Sequence, residues 1–155
     1  MNPPDPEDGL SLLETMTGQR LGISPWHEVT QEQVNLFAEA TSDRQWIHVD
    51  PERARRGPFG GPIAHGYLTL SMLPKLLSDM LRVSGVALSV NYGLNRVRFT
   101  SPVPVGARIR AVADVLRVDA VEGGVQLSLS VTVEIEGSSK PACVAETITR
   151  LYRAH

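Results

Sequence analysis

The chain is poor in the features that mark several large protein classes, and each shortage removes a possibility. It has one cysteine, Cys143, in 155 residues, so no disulfide can form within it and a reducing, cytoplasmic setting is expected. No histidine is near Cys143 in sequence, so it reads as a buried strand residue and not as a nucleophile. Neither sign of charge dominates, with 15 Lys and Arg against 17 Asp and Glu; nothing here suggests a nucleic-acid partner. The start, MNPPDPEDG, has no basic cluster and no apolar stretch, which is unlike a secretory signal. Residues 1–12 are expected to form a disordered tail, and 13–155 a single domain. The most apolar segment, Ile63 to Val83, is interrupted by His65, Pro74, Lys75, Asp79 and Arg82, too many polar groups for a membrane span.

Two chemical motifs are missing as well. The glycines at 57, 60 and 61 are not followed by Gly-Lys-Ser/Thr, so they do not form a nucleotide-phosphate loop. No two histidines share ligand spacing on one helix, which argues against a metal centre.

What the chain does contain is clear periodicity. Thr30 and Gln33 stand at capping-box spacing, Val29 can pack on Val34, and Val34, Phe37 and Ala38 continue an apolar stripe; this predicts a helix from Thr30 to about Ser42. Asp43 and His48 then fall on an irregular segment beyond the helix end. After the turn-rich stretch 57–62, a buried helix is predicted over Ala64 to Val83, with a kink at Pro74. Val125 to Ile135 alternates apolar and polar residues without error, as a half-buried antiparallel strand does. Gly123-Gly124 pairs it by a hairpin with about 107–121. Further strands are expected over Val86 to Phe99 and Ala142 to Tyr152, with an early one over Leu21 to Glu28. The class is therefore α+β, with an antiparallel sheet of five to six strands around a long central helix.

Four groups could carry chemistry: Asp43, His48, Asp50 and His65. A carboxylate and an imidazole five residues apart on a loop can converge on one water and act as a general acid–base pair. Equally, Asp43 could cap a turn and His48 be a satisfied structural histidine. Asp50, before Pro51, is suited to fixing the loop; His65 is suited to bonding a backbone carbonyl at a buried helix start. Gly66 lacks a Cβ, so its N–H could be approached by a developing oxyanion, or the helix could simply pack closely there. Arg53, Arg55 and Arg56 form a basic cluster, either a solvated face or a site for the phosphates of a nucleotide tail.

Three ordered motifs carry a resemblance. The run Phe37-Ala38-Glu39-Ala40-Thr41-Ser42-Asp43-Arg44-Gln45-Trp46-Ile47-His48-Val49-Asp50-Pro51 resembles the signature of MaoC-like (R)-specific enoyl-CoA hydratases. Pro62-Ile63-Ala64-His65-Gly66 is similar to that family's entry into its central helix, and 97–106 to its F-x-x-P-V-x-x-G turn. The family's usual Asn-Pro is replaced by Gln45-Trp46, as in a nodulation-associated subgroup. The resemblance implies a hot-dog fold and a homodimer. It implies Asp43 and His48 as the catalytic pair, Gly66 and Gln45 as oxyanion or substrate-binding groups, and Asp50 and His65 as supporting residues. Its substrate would be an acyl-CoA or acyl-carrier-protein thioester, with no cofactor or metal. A hot-dog thioesterase, a carrier-protein dehydratase subunit and a non-catalytic acyl-binding protein are the rival readings.

Overall fold

The computed structural model describes residues 8–154. The tail expected over 1–12 lies partly outside that range. Within it the expectation fails, because Gly9–Glu14 form a helix, α1. Asp8 caps it by accepting a hydrogen bond from the Leu10 amide, and Leu10 and Leu13 are shut off from solvent. Two leucines three apart supply the apolar stripe that makes so short a helix worth forming.

The sheet has six antiparallel strands, ordered β1-β4-β5-β6-β3, with β2 also paired to β4. They are β1 (Arg20–Ile23), β2 (His27–Glu28), β3 (Val86–Arg98), β4 (Arg108–Val121), β5 (Gly124–Ile135) and β6 (Cys143–Arg153). Those from β3 onward lie within two residues of the sequence expectation. The early strand is split, because Pro25 has no amide for a ladder. Ser24 bridges the gap, its hydroxyl accepting from the Ala111 amide at 2.9 Å. The β4–β5 and β5–β6 turns need left-handed backbone at Gly123 and Gly137, both at φ 78°.

The alternation read in β5 sorts its faces: Val125, Leu127, Leu129, Val131, Val133 and Ile135 are all buried. Beside it, Ile109, Ala111, Ala113 and Val115 of β4 make the same inner face. The small alanines let a helix approach closely.

Helix α2 spans Gln31–Thr41, and the Thr30 hydroxyl caps it through the Gln33 amide at 3.1 Å. Two short helices follow, α3 (Trp46–Val49) and α4 (Pro51–Arg55). The long helix expected over 64–83 is instead two, α5 (Gly66–Ser71) and α6 (Leu73–Met80), meeting at Met72. Pro74 explains the joint. It sits in the first turn of α6, where its missing amide costs nothing, and not inside one helix where it would break the ladder. Leu68, Met72, Leu73 and Leu76 from these helices join the β4, β5 and β6 residues in one core cluster.

Because α1 contributes Leu10 to that cluster, Leu10→Ala should cost about 2–5 kcal/mol, the usual loss for a fully buried leucine. Leu12, 64% exposed on the same helix, should lose no more than about 0.5 kcal/mol on the same change. Urea denaturation of the two variants measures the contrast; equal losses would mean that α1 does not belong to the core.

Candidate active site

Helix α2 ends at Ser42, which adopts a left-handed conformation (φ 61°). That turn redirects the chain so that Asp43 leaves the helix axis, and its amide approaches the Thr41 hydroxyl at 3.4 Å. Gln45 starts α3, its carbonyl accepting from the His48 amide at 3.0 Å. His48 therefore sits in a helical turn and not on irregular chain as its sequence context suggested.

The segment 62–65 is sewn down on two sides. The Ile63 amide donates to the Ile47 carbonyl at 3.0 Å, the Ala64 amide to Val103 at 2.8 Å, and Val105 to Pro62 at 2.9 Å. On this strip the two histidines are fixed. His48 Nδ1 lies 2.6 Å from the Ile63 carbonyl oxygen, and His65 Nε2 lies 2.9 Å from the Asp43 carbonyl oxygen. A carbonyl can only accept, so both nitrogens carry the proton. The free lone pair of neutral His48 is then on Nε2, and that of His65 on Nδ1. His65 Nδ1 is buried with no partner.

The two rings stack with centroids 3.8 Å apart and an interplanar angle of 23°, and Phe37 packs on His65 at 4.9 Å. Ligating atoms of Asp43, His48 and His65 all fall within 4.8 Å of one another. This trio has the composition of a metal site, but its geometry fits one poorly. An imidazole binds a metal in its own ring plane at about 2 Å, and two nearly parallel planes do not meet at such a point. The arrangement fits a water or a substrate oxygen better.

His48 is buried, and this pushes its pKa below the ordinary histidine range. The bond to Ile63 pulls the other way, the neighbouring His65 adds to the lowering, and the Asp43 carboxylate opposes it. His48 is thus held neutral near neutral pH, with Nε2 able to accept a proton. Burial raises the Cys143 thiol instead, so it stays protonated inside β6.

The remaining sequence candidates take other places. The Asp50 carboxylate caps α4 by accepting from the Arg53 amide at 3.1 Å. The Gln45 side chain is exposed and makes no capping bond. Gly66 begins α5, and a Cβ there would lie 2.7 Å from the Phe99 ring. Close packing therefore demands glycine here whether or not its amide binds substrate. Trp46 carries the Arg53 guanidinium at 4.4 Å over its ring and closes on Gly57, where a Cβ would stand 2.8 Å away. The residue replacing the usual proline thus ties α3, α4 and the 57–62 loop together. Arg55 and Arg56 are exposed.

Sequence reading missed Gln31. Its side-chain amide donates to the His48 carbonyl at 2.8 Å and to Asn35 at 2.9 Å, steadying α3 from the first turn of α2. No local pattern could have revealed a bond across 17 positions. Phe37 was legible only as part of an apolar stripe.

A family model described as a MaoC like domain matches residues 13–136. The chain belongs to the MaoC-like dehydratase family. It is 58% identical over 144 residues to 3-hydroxyacyl-thioester dehydratase Z of Mycobacterium tuberculosis, covering 92% of this chain and 95% of that one. It is 46% identical over 147 residues to Nodulation protein N of Rhizobium leguminosarum bv. viciae, covering 92% and 91%. Among solved structures, the (R)-hydratase from A. caviae involved in PHA biosynthesis superposes with a TM-score of 0.71 at 27% identity, covering 87% of this chain and 96% of that one. The fold is the hot-dog fold, and the protein is a hydro-lyase of the MaoC-like kind. Among the described residues, no helix is long and apolar enough to cross a membrane.

The lowered His48 pKa has a consequence for stability. The unfolded chain binds its proton at higher pH than the folded one, so folding stability is full above the unfolded value and declines as pH falls through it towards the folded value. His48→Gln should flatten this decline. Urea denaturation of both proteins across the mildly acidic range reads it out; identical slopes would show that His48 titrates normally.

Proposed function

We propose that this MaoC-like hydro-lyase interconverts trans-2-enoyl-CoA and (R)-3-hydroxyacyl-CoA, with Asp43 and His48 as its acid–base pair. The observation that carries this reading is the fixed His48 tautomer: Nδ1 is spent on Ile63, which leaves Nε2 open, on a ring that lies within 4.8 Å of the Asp43 carboxylate. The dehydratase named from M. tuberculosis and the (R)-hydratase from A. caviae support the reaction class and its stereochemistry.

In hydration, the pair holds one water between them. His48 Nε2 takes its proton as the oxygen attacks C3, and the pair returns a proton to C2, so nothing is lost or gained except water. Asp43 steadies the imidazolium that forms. The Gly66 amide, which begins α5, would polarise the thioester carbonyl as enolate charge builds on it. His65 acts on Asp43 through its backbone carbonyl, and Asp50 on α4, so both support the geometry without touching substrate.

The space offered to an acyl chain lies along the helices that Gly66 opens. Gly66, Leu70, Leu73 and Leu77 follow one another at helical spacing along α5 and α6. Leu70, Leu73 and Leu77 border two adjoining cavities, of about 370 and 420 Å³, between these helices and β3 and β6.

A homodimer through β3 is part of the same reading. This strand is an edge of the sheet, and it exposes Leu88, Val90, Tyr92 and Leu94. An unpaired apolar edge of 13 residues is unusual unless something covers it. Light scattering should give twice the monomer mass at micromolar concentration; a stable monomer would remove the dimer from this reading.

The decisive assay follows hydration of crotonyl-CoA by absorbance, with chiral analysis of the product. Asp43→Asn and His48→Gln should each lower kcat by about 10²–10⁴-fold with the fold intact. The double variant should be little worse, because both groups act on one water. Near-normal kcat in either single variant would remove Asp43 and His48 as the acid–base pair, and release of free CoA in place of hydration would replace the hydratase reading with the thioesterase one.

A further inference from the structure

Two large aromatic side chains stand open to solvent where α5 begins. Tyr67 is 69% exposed and Phe99 43%, although rings of this size gain much from being covered. They are not isolated surface residues. Their rings meet edge to face, with centroids 5.6 Å apart and an interplanar angle of 71°, so they make a corner and not a flat patch.

The corner is held beside Gly66. Phe99 directly follows β3, and the residue after it is tied down twice. The Thr100 amide donates to the Ala142 carbonyl at 3.1 Å, and its hydroxyl donates to the Pro141 carbonyl at 2.6 Å. The Phe99 ring lies so close to Gly66 that a Cβ there would stand 2.7 Å from it. Tyr67 is the residue after Gly66 in α5. Neither ring borders the two cavities along α5 and α6.

We propose that Tyr67 and Phe99 receive the cysteamine end of coenzyme A, the stretch from the thioester sulfur to the first amide. The proposal rests on the enoyl-CoA reading given above and adds the residues that grip the substrate on the side away from its acyl chain. Coenzyme A is too large and too highly charged to enter the fold, so its arm leaves the carbonyl at Gly66 towards solvent. The two rings are apolar surface on that open side, next to Gly66 itself. Their chemistry suits the arm. A divalent sulfur is favoured near the edge of an aromatic ring, methylenes lie against ring faces, and an amide N–H can point at a π face. A corner holds a narrow linear chain on two sides, where a single exposed ring would hold it on one.

Kinetics with shortened and lengthened substrates test the proposal. Tyr67→Ala should raise KM for crotonyl-CoA about tenfold and leave kcat nearly unchanged, the pattern of a contact kept throughout the reaction. A similar factor should appear with crotonyl-N-acetylcysteamine, which keeps only this end of the arm, and with trans-2-hexenoyl-CoA. Tyr67→Phe, which keeps the ring, should behave as wild type. Butyryl-CoA has no double bond to hydrate, and by calorimetry it should bind Tyr67→Ala about tenfold more weakly than wild type. That binding result stands apart from turnover, so failure of the wild type to hydrate crotonyl-CoA would count against the hydratase reading alone. The proposal is overturned if butyryl-CoA does not bind wild type, or binds Tyr67→Ala equally well. A loss that spares crotonyl-N-acetylcysteamine would place the ring further along coenzyme A, and one that grows from crotonyl- to hexenoyl-CoA would place it on the acyl chain; either overturns the proposal. So does a fall in kcat at constant KM. Light scattering on Tyr67→Ala should return the wild-type mass; a changed mass would make the corner a contact between subunits and overturn the proposal.

Discussion

The bond from His48 Nδ1 to the Ile63 carbonyl joins the two halves of the site, and most of the local architecture serves to hold it. His48 comes from a helical turn after α2, whereas Ile63 belongs to the strip before α5. That strip is in turn fixed by amides exchanged with Ile47, Val103 and Val105. One carbonyl oxygen thus decides which imidazole nitrogen is free. The other tautomer would put the Nδ1 lone pair against an acceptor and leave Nε2 protonated, unable to take a proton from water. Gln31 guards the same geometry from the other side by holding the His48 carbonyl.

Burial of His48 has two effects that both suit the proposed role of a base. Desolvation keeps the ring neutral, and stacking on His65 keeps it oriented. His65 is itself committed through Nε2 to the Asp43 backbone. Asp43 and His48 are therefore positioned through one another, by way of a second imidazole. A group that positions by backbone contact fixes direction without competing for substrate, which suits the proposed sharing of one water between two side chains.

Legibility in the sequence follows the range of the interactions. Thr30, Gln33 and the Ser42 region were readable because capping is a contact between near neighbours. The β5 strand was readable because alternation is a local consequence of burying one face. The pairing of Asp43 with His48 was suggested by five-residue spacing, but the histidine tautomer was not, since it depends on a carbonyl 15 positions away. Local pattern misled in two places. The acidic, proline-rich start hid the buried Leu10 and Leu13 of α1, whose partners lie on distant elements. The continuous apolar run through 64–83 hid the joint at Met72, where Pro74 opens a new helix.

That joint also shapes the cavity wall. Because Pro74 begins α6, the two helices need not share a straight axis, and space remains between them and β6. The sheet opposite is not uniformly greasy there, since Thr147 and Thr149 interrupt the inner face that β4 and β5 keep apolar. The core and the cavity thus obey different rules on one sheet. Where the helices press on β4, alanines and valines maximise contact and stability. Where they stand away from β6, threonines take inward positions, and the Thr147 hydroxyl is buried without a partner at a cost to stability.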